Sequence, residues 1–248
     1  MGFLVGDFCY YCFLYYFCLY HKSNMEKCVI VVAGGKGLRM GGDIPKQFRF
    51  IGGRPVLMHT LEAFCRYDES IGLVVVLPEA HFSYWRELCR QYAFSLPHTV
   101  VAGGATRFHS VFNGLQAVPD EVRLIAVHDG VRPFVSCRLV ADAFAAAGRF
   151  GAAIPVTPVI ESLRHIKDDG ANEAVPRAEY RSVQTPQVFD SVVFRNAYRQ
   201  PYRDDFTDDA SVVEAAGYRV TLVEGDIDNI KITTPLDLAV AEILCADE

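Results

Sequence analysis

Continuous apolar runs separated by helical patterns constrain the fold of this chain more than any other feature. Ile71–Leu77 contains no charged residue, and Lys27–Ala33 is apolar over most of its length. Such runs are typical of strands buried on both faces, as in parallel sheets. Pro55–Arg66 carries apolar residues at helical spacing, and Glu79–Tyr92 predicts a second helix. This alternation continues from Met25 to the end, so we predict an α/β fold whose mostly parallel sheet has helices on both faces.

The same signals place the remaining elements along the chain. Ser136, Asp190 and Thr234 are predicted N-caps, since each precedes a helical pattern, and Pro235 suits a first helical position. The further predicted strands are Thr99–Ala102, Arg123–His128, Ala152–Pro155 and Arg219–Val223, and the further helices are Arg107–Val118, Ser136–Ala147, Asp190–Arg199, Thr207–Ala216 and one that begins at Thr234-Pro235.

Residues 157–187 depart from the alternating pattern and predict a β-hairpin inserted into the fold. Val159–Ile166 alternates loosely, Asp168-Asp169-Gly170 is a turn signal, and Glu179–Gln184 is a second strand candidate. Inserted hairpins often act as arms that contact a second subunit; the alternative is a flap over the chain's own site. We therefore expect 25–248 to be one domain with a dimerisation arm at about 157–187.

Residues 1–24 differ in composition from the rest of the chain. They are dense in Tyr, Phe and Cys, and the first basic residue, Lys22, follows the apolar run, which is unlike a signal peptide. Met25 begins a sequence that looks like an ordinary cytosolic start. We expect 1–24 to be a non-native or disordered extension from a misassigned start codon. The alternative is a membrane-proximal anchor, because Phe8–Tyr20 lies in an apolar run of about 18 residues, near the lower limit for a span.

The net charge and the cysteines indicate which partners and which redox environment to expect. The net charge of -6 lacks the basic footprint of a nucleic-acid-binding protein, so we expect no nucleic acid partner. The pair Cys9-x-x-Cys12 has no second pair, which disfavours zinc. Free buried thiols in a reducing cytoplasm are the simplest account of the eight cysteines.

A glycine-rich loop, AGGKGLRMGGDIPKQF over 33–48, follows the first strand. Glycines let backbone N–H groups approach a ligand closely, and cations among them suit phosphate. The loop matches neither nucleotide fingerprint: Met40 breaks G-x-G-x-x-G, and Asp43 stands where Walker A requires lysine. Gly103–Arg107 and Asp129–Arg132 also follow strands, and ligands of such sheets bind at the carboxyl ends of strands. The loop therefore favours a nucleoside triphosphate site, with an ordinary glycine-rich turn as the alternative.

Seven motifs in order resemble one enzyme family. AGGKGLRM, PKQF, GGATRFHSV, HDGVRPF, QTPQVF, FTDDASVVE and DNIKITTPLDL follow one another over nearly all of 25–243. This is similar to the 2-C-methyl-D-erythritol 4-phosphate cytidylyltransferases of non-mevalonate isoprenoid biosynthesis. The resemblance implies a Rossmann-like, three-layer nucleotide-diphospho-sugar transferase fold and a homodimer dependent on Mg²⁺. It also implies joining of CTP and methylerythritol phosphate to give the CDP-alcohol and pyrophosphate.

The resemblance assigns roles to individual residues. The reaction brings two phosphates together, so cations must offset the charge that builds up. Arg39 and Lys46 match the catalytic cations, and Asp129 matches the Mg²⁺ ligand, with a helix or turn cap as the alternative for Asp129. The implied nucleotide-binding residues are Ala33, Gly34, Gly35, Gly37, Gly104, Ser110 and Asp129, and the implied polyol phosphate-binding residues are Arg132, Ser162, Arg177, Thr185, Thr207 and Lys231.

Some assignments rest on weaker matches. Arg107 is expected to brace the base-binding segment, Asp228 to assist the site, and His128 to be a packed residue and not a base. Ser162 and Arg177 would serve the partner subunit's site. Ribitol 5-phosphate cytidylyltransferases share several motifs and are the nearest alternative. A non-catalytic nucleotide-binding regulator is another, although the loop cations and Asp129 are present.

Overall fold

The computed structural model of the protein describes residues 25–35 and 44–246. The predictions for residues 1–24, and those for Gly37 and Arg39, lie outside the described residues. In the described part, no helix has both the length and the apolar character needed to cross a bilayer.

Twelve strands and seven α-helices make up the described part. The strands are β1 (Lys27–Val32), β2 (Phe50–Ile51), β3 (Arg54–Pro55), β4 (Gly72–Leu77), β5 (Thr99–Ala102), β6 (Leu124–Asp129), β7 (Ala152–Pro158), β8 (Leu163–Ile166), β9 (Asn172–Val175), β10 (Arg181–Val183), β11 (Gln187–Asp190) and β12 (Thr221–Glu224). The helices are α1 (Val56–Tyr67), α2 (Phe82–Gln91), α3 (Arg107–Gln116), α4 (Cys137–Phe150), α5 (Ser191–Ala197), α6 (Asp209–Ala215) and α7 (Pro235–Ala246).

Eight strands form the central sheet in the order β10-β7-β11-β6-β1-β4-β5, with β12 also paired to β7. Strand β1 lies between β4 and β6, parallel to both, and β5 continues the parallel arrangement. Strand β11, which the sequence analysis missed, lies antiparallel between β6 and β7. The carboxyl ends of β1, β5 and β6 therefore open on the same edge of the sheet, as predicted.

Helices cover both faces of the sheet, which confirms the three-layer α/β prediction. Along β1, Val29 and Val31 pack with α1, α2 and α4, whereas Cys28 and Ile30 pack with α3, α5 and α6. Each face thus buries its own apolar cluster. This arrangement explains the continuous apolar runs, because every side chain of an inner strand meets a helix.

The predicted caps of α4 and α5 are confirmed, whereas the predicted start of α6 is two residues too early. The side chains of Ser136 and Asp190 accept backbone N–H groups of the first turns of α4 and α5. Helix α6, however, begins at Asp209 and not at Thr207. The carboxylate of Asp208 accepts the Ser211 N–H at 2.9 Å and caps the helix, so Thr207 stays in the preceding loop.

The predicted hairpin is present, but its second strand was misidentified. β8 pairs with β9, and the turn between them contains Gly170 at φ 82°. The Glu179–Gln184 segment instead supplies β10, which pairs antiparallel with β7 at the edge of the central sheet. The hairpin therefore spans the segment between β7 and β10, and its strands are mostly exposed.

Candidate active site

A cavity of about 350 Å³ lies at the carboxyl ends of β1, β5 and β6. It brings together the described part of the glycine loop, the turn after β5, and the end of β6. The predicted residues that line it are Ala33, Gly34, Gly35, Lys46, Gly104, Arg107, Ser110, Asp129 and Lys231.

Lys46 is presented by a short 3-10 turn, Lys46–Phe48, that an aromatic cluster anchors. Phe48 is fully buried, stacks on Trp85 and meets Tyr84 edge to face. A Cβ on Gly35 would lie 3.3 Å from Cε of Lys46, so the lysine stem passes closely over the glycine backbone. The Lys46 side chain and the described part of the glycine-rich loop therefore line the same cavity.

The turn after β5 is braced by Ser110. Its hydroxyl accepts the Gly104 N–H at 3.0 Å and donates to the Thr106 carbonyl at 2.9 Å. A side chain at Gly104 would overlap His109 at the start of α3. Ser110 shapes the turn, and its role in reading a base stays a prediction.

Asp129 sits at the end of β6 among three cations. Its Oδ2 lies 2.9 Å from Lys231 Nζ and 3.3 Å from Arg132 Nε, and its Oδ1 is 4.0 Å from Arg107. Burial alone would raise the pKa of this carboxyl, but Arg107, Lys231 and Arg132 together hold it well below its usual range. Asp129 is therefore ionised across the ordinary pH range.

His128 is a packed residue, as expected. Its Nε2 donates to the Arg132 carbonyl at 3.0 Å, and its Nδ1 accepts the hydroxyl of Thr185 at 3.1 Å. Complete burial lowers its pKa to about 4, so the ring is neutral at pH 7. The Thr185 oxygen in turn accepts the Asp129 N–H at 3.1 Å, which fixes the start of the HDG turn.

A second cavity, of about 290 Å³, adjoins the first. Arg107, Asp129 and Lys231 line both cavities. Four of the residues predicted to bind the polyol phosphate border the second cavity: Arg132, Thr185, Thr207 and Lys231. The two predicted binding regions thus meet at one group of charged side chains.

Three predicted residues lie away from both cavities. Ser162 and Arg177 are on the exposed hairpin segment, where the Arg177 guanidinium donates to the Ile160 carbonyl. Asp228 is exposed in the loop before Lys231, and its N–H binds the Asp226 carboxylate. Within this chain, these residues line neither cavity.

Arg107 has a partner that the sequence did not predict. The guanidinium binds Asp209 Oδ2 at 2.6 Å, and the Tyr198 hydroxyl donates to Asp209 Oδ1 at 2.6 Å. Burial raises the pKa of Asp209, although Arg107 opposes the shift. Arg107 therefore links the turn after β5 to α6 instead of bracing only its own segment. The sequence carries no signal of this pairing, because the two residues lie 102 positions apart.

Asp129 is suited to a metal that needs few protein ligands. In residues 25–35 and 44–246, no group of three or more His, Cys, Asp or Glu side chains is arranged to hold an ion. Oδ1 is the less engaged oxygen of Asp129, and the residue borders both cavities. One carboxylate with phosphate oxygens and water is a common Mg²⁺ arrangement.

Comparisons with known proteins agree on one family. The family model for IspD, 2-C-methyl-D-erythritol 4-phosphate cytidylyltransferase, matches residues 27–247. The enzyme of that name from Phocaeicola vulgatus is 56% identical over 220 residues, covering 89% of this chain and 100% of the relative. The crystal structure of the Thermus thermophilus enzyme of that name has a TM-score of 0.71 at 37% identity, covering 90% of this chain and 99% of its own. The 4-diphosphocytidyl-2C-methyl-D-erythritol synthase structure from Anaerococcus prevotii has a TM-score of 0.76 at 29% identity, covering 90% and 99%.

Proposed function

The chain belongs to the 2-C-methyl-D-erythritol 4-phosphate cytidylyltransferase family, and on that premise we propose the reaction that it performs. It joins CTP and 2-C-methyl-D-erythritol 4-phosphate to give 4-diphosphocytidyl-2-C-methyl-D-erythritol and pyrophosphate, a step of the non-mevalonate isoprenoid pathway. The observation that carries the proposal is the pair of adjoining cavities, which share Arg107, Asp129 and Lys231. A transfer between two phosphates needs two anion sites that meet.

The residues of the two cavities divide the work of the reaction. The polyol phosphate oxygen attacks the α-phosphorus of CTP, the bond to the bridging oxygen breaks, and pyrophosphate carries away the electron pair. Lys46, with Arg39, stabilises the charge that builds on the α-phosphate. Lys231 and Arg132 hold the attacking phosphate near Asp129. The attacking phosphate is already ionised, so the reaction needs no general base.

Mg²⁺ is the cofactor of this proposal. Asp129 would hold it through Oδ1, and the phosphates of CTP would complete the shell. When bound, the ion offsets the negative charge of the triphosphate. The low pKa of Asp129 supports this assignment, since the ligand is ionised at any pH at which the enzyme would work.

We further propose a cytoplasmic homodimer formed through the hairpin segment. Ile160, Ile166 and Tyr180 are exposed apolar side chains of this segment, and a second subunit would cover them. The dimer would also bring Ser162 and Arg177 to the partner's site. The net charge of -6 supports small-molecule partners over nucleic acid.

A substrate panel tests the proposed function. Steady-state turnover is measured with CTP, Mg²⁺ and either 2-C-methyl-D-erythritol 4-phosphate or ribitol 5-phosphate, and pyrophosphate release is the readout. We expect turnover with the first polyol phosphate and little with the second. Equal or better turnover of ribitol 5-phosphate would overturn the choice of substrate. Nucleotide binding without turnover of either would instead indicate the regulator alternative.

A further inference from the structure

The run Gln184-Thr185-Pro186-Gln187 joins β10 to β11 beside the second cavity. Its three polar side chains are buried, with exposures of 9% for Gln184, 5% for Thr185 and 1% for Gln187. A buried amide needs hydrogen-bond partners. Each of the three finds them in a different segment of the site.

Gln184 holds the loop that leads to Lys231. Its Nε2 donates to the Asp226 carbonyl at 2.8 Å, and its Oε1 accepts the Asp226 N–H at 3.1 Å. The side-chain amide of Gln184 thus binds both the N–H and the carbonyl of Asp226, as a neighbouring strand would. At Gly225, a Cβ would lie 2.8 Å from Oε1 of Gln184, so the glycine permits the close approach.

Asn229 extends this contact toward the charged group. Its Nδ2 donates to the Thr185 carbonyl at 2.8 Å, and its own carbonyl accepts Arg132 Nη1 at 2.7 Å. The Ile232 N–H then binds the Val131 carbonyl at 2.9 Å. Lys231 is thereby held between two fixed points, opposite Asp129.

Gln187 holds the segment that contains Thr207. Its Nε2 donates to Asp208 Oδ2 at 2.8 Å, and its Oε1 accepts the Ala210 N–H at 2.9 Å. Asp208 caps α6, so the amide fixes the helix start and the loop before it. Together with the contact of Thr185 to the Asp129 N–H, the run touches every segment around the second cavity that carries a predicted polyol phosphate ligand on the same subunit.

We propose that Gln184 and Gln187 are positioning residues for the polyol phosphate site. They set the places of Lys231 and Thr207 through the backbone, and their polar atoms are already paired within the protein. Neither glutamine lines the first cavity, and Thr207 borders only the second cavity, whereas Lys231 borders both. The inference rests on the proposed function and adds specificity to it: loss of either amide should weaken the binding of the polyol phosphate more than the binding of CTP.

The test compares Gln184→Met and Gln187→Met with Gln200→Met. Gln200 is the matched control, because its Nε2 donates to the Ala197 and Val212 carbonyls away from both cavities. We expect the KM for the polyol phosphate to rise about tenfold in the first two variants, the change expected when buried hydrogen bonds of ordinary strength are lost. In Gln187→Met the KM for CTP should stay within about twofold of wild type, because Thr207 borders only the second cavity. In Gln184→Met the KM for CTP should rise less than the KM for the polyol phosphate, because Lys231 borders both cavities. The control should match wild type in both KM values.

Three outcomes separate the possible explanations. A purely structural role would reduce the active fraction and lower kcat with both KM values unchanged, which would overturn the inference, as would an equal rise in both KM values. Lack of turnover by the wild-type enzyme would refute the proposed function instead. If a Met variant fails to fold, the near-isosteric Gln184→Glu and Gln187→Glu variants are subjected to the same KM comparison. Faster hydrogen exchange at the Asp226 and Ala210 amides would support the contacts independently of catalysis.

Discussion

Replacing Arg107 with methionine should destabilise the fold in a strongly pH-dependent way. The substitution keeps an unbranched apolar stem but removes the guanidinium 2.6 Å from Asp209. The Asp209 side chain is 1% exposed, so water cannot replace the lost partner. The Tyr198 hydroxyl still donates to the other oxygen at 2.6 Å and stabilises either protonation state in part.

The loss of unfolding free energy in the variant has an upper limit, which is set by protonation of Asp209. Removing one partner of a buried ion pair typically costs about 3–5 kcal/mol. Asp209 avoids a buried, unpaired charge if it takes up a proton. Protonation costs about 1.4 kcal/mol for each pH unit above the ordinary pKa of the carboxyl. From the ordinary value of 3.8 this upper limit is about 4 kcal/mol at pH 7 and about 2 kcal/mol at pH 5. We expect losses below these two limits, because burial already raises the pKa of Asp209 in the wild type and that protein bears part of the same cost.

The direction of the pH dependence follows from the number of protons that the folded and unfolded states bind. In the variant, the folded-state pKa of Asp209 lies above its unfolded value, so folding takes up a proton. The resulting stability is complete below the unfolded pKa and is lost as pH rises toward the folded pKa. The difference in unfolding free energy between wild type and variant should therefore grow from about pH 4 to pH 7.

Urea denaturation at pH 5, 6 and 7 measures this difference. Arg90→Met is the control, because the Arg90–Glu87 pair is exposed and should contribute less than about 1 kcal/mol. Arg107→Met combined with Asp209→Asn should recover most of the loss, since no charge remains buried. A loss below about 1 kcal/mol, or one equal at pH 5 and pH 7, would refute the reasoning.

Further predictions concern the site and the surface. Lys46→Ala should lower kcat on the order of 10²–10³-fold in the pyrophosphate assay with stability unchanged, the usual cost of losing one transition-state donor; near-normal turnover would contradict its role. Gly104→Ala should weaken CTP binding measured by calorimetry, because a Cβ there overlaps α3; unchanged affinity would argue against it. At pH 8, a maleimide should label exposed Cys137 and spare Cys28, whose burial raises the thiol pKa to about 12, as peptide mass spectrometry would show; equal labelling would contradict this. Asp68→Asn should flatten the loss of stability below about pH 4, because hydrogen bonds from Ser70 and the Lys27 charge outweigh burial and lower the pKa of Asp68; an acid unfolding profile equal to wild type would count against it.

Most of the fold was predictable because its signals are local. Apolar runs mark β1 and β4, and cap residues such as Ser136 and Asp190 act on the N–H groups of their own first turns. Strand β11 was missed for the opposite reason. It is four residues long, and its partners on β6 lie about sixty residues earlier, as in the pairing of Gln187 with Val127.

The candidate site likewise contains residues that local motifs predict and residues that they do not. Gly104 and Asp129 stand in short motifs at strand ends, Lys46 stands in the short motif PKQF, and the topology brings the three together. The contacts of Gln184 leave no such pattern, because its amide binds backbone atoms 42 residues away. Asp209 is also silent in the sequence: beside a capping aspartate it looks like an ordinary first-turn acid, and only the fold brings Arg107 to it.

The long spacing of these contacts has a consequence for the order of folding. The half-sheet formed by β1, β4, β5 and β6 closes through parallel pairs within the first 129 residues. The bonds that complete the site span 56 residues from Asp129 to Thr185, 97 from Arg132 to Asn229, and 102 from Arg107 to Asp209. Because distant contacts form late, the growing chain should pass through a compact, catalytically silent intermediate. Activity should appear in refolding experiments only after most of the secondary structure has formed.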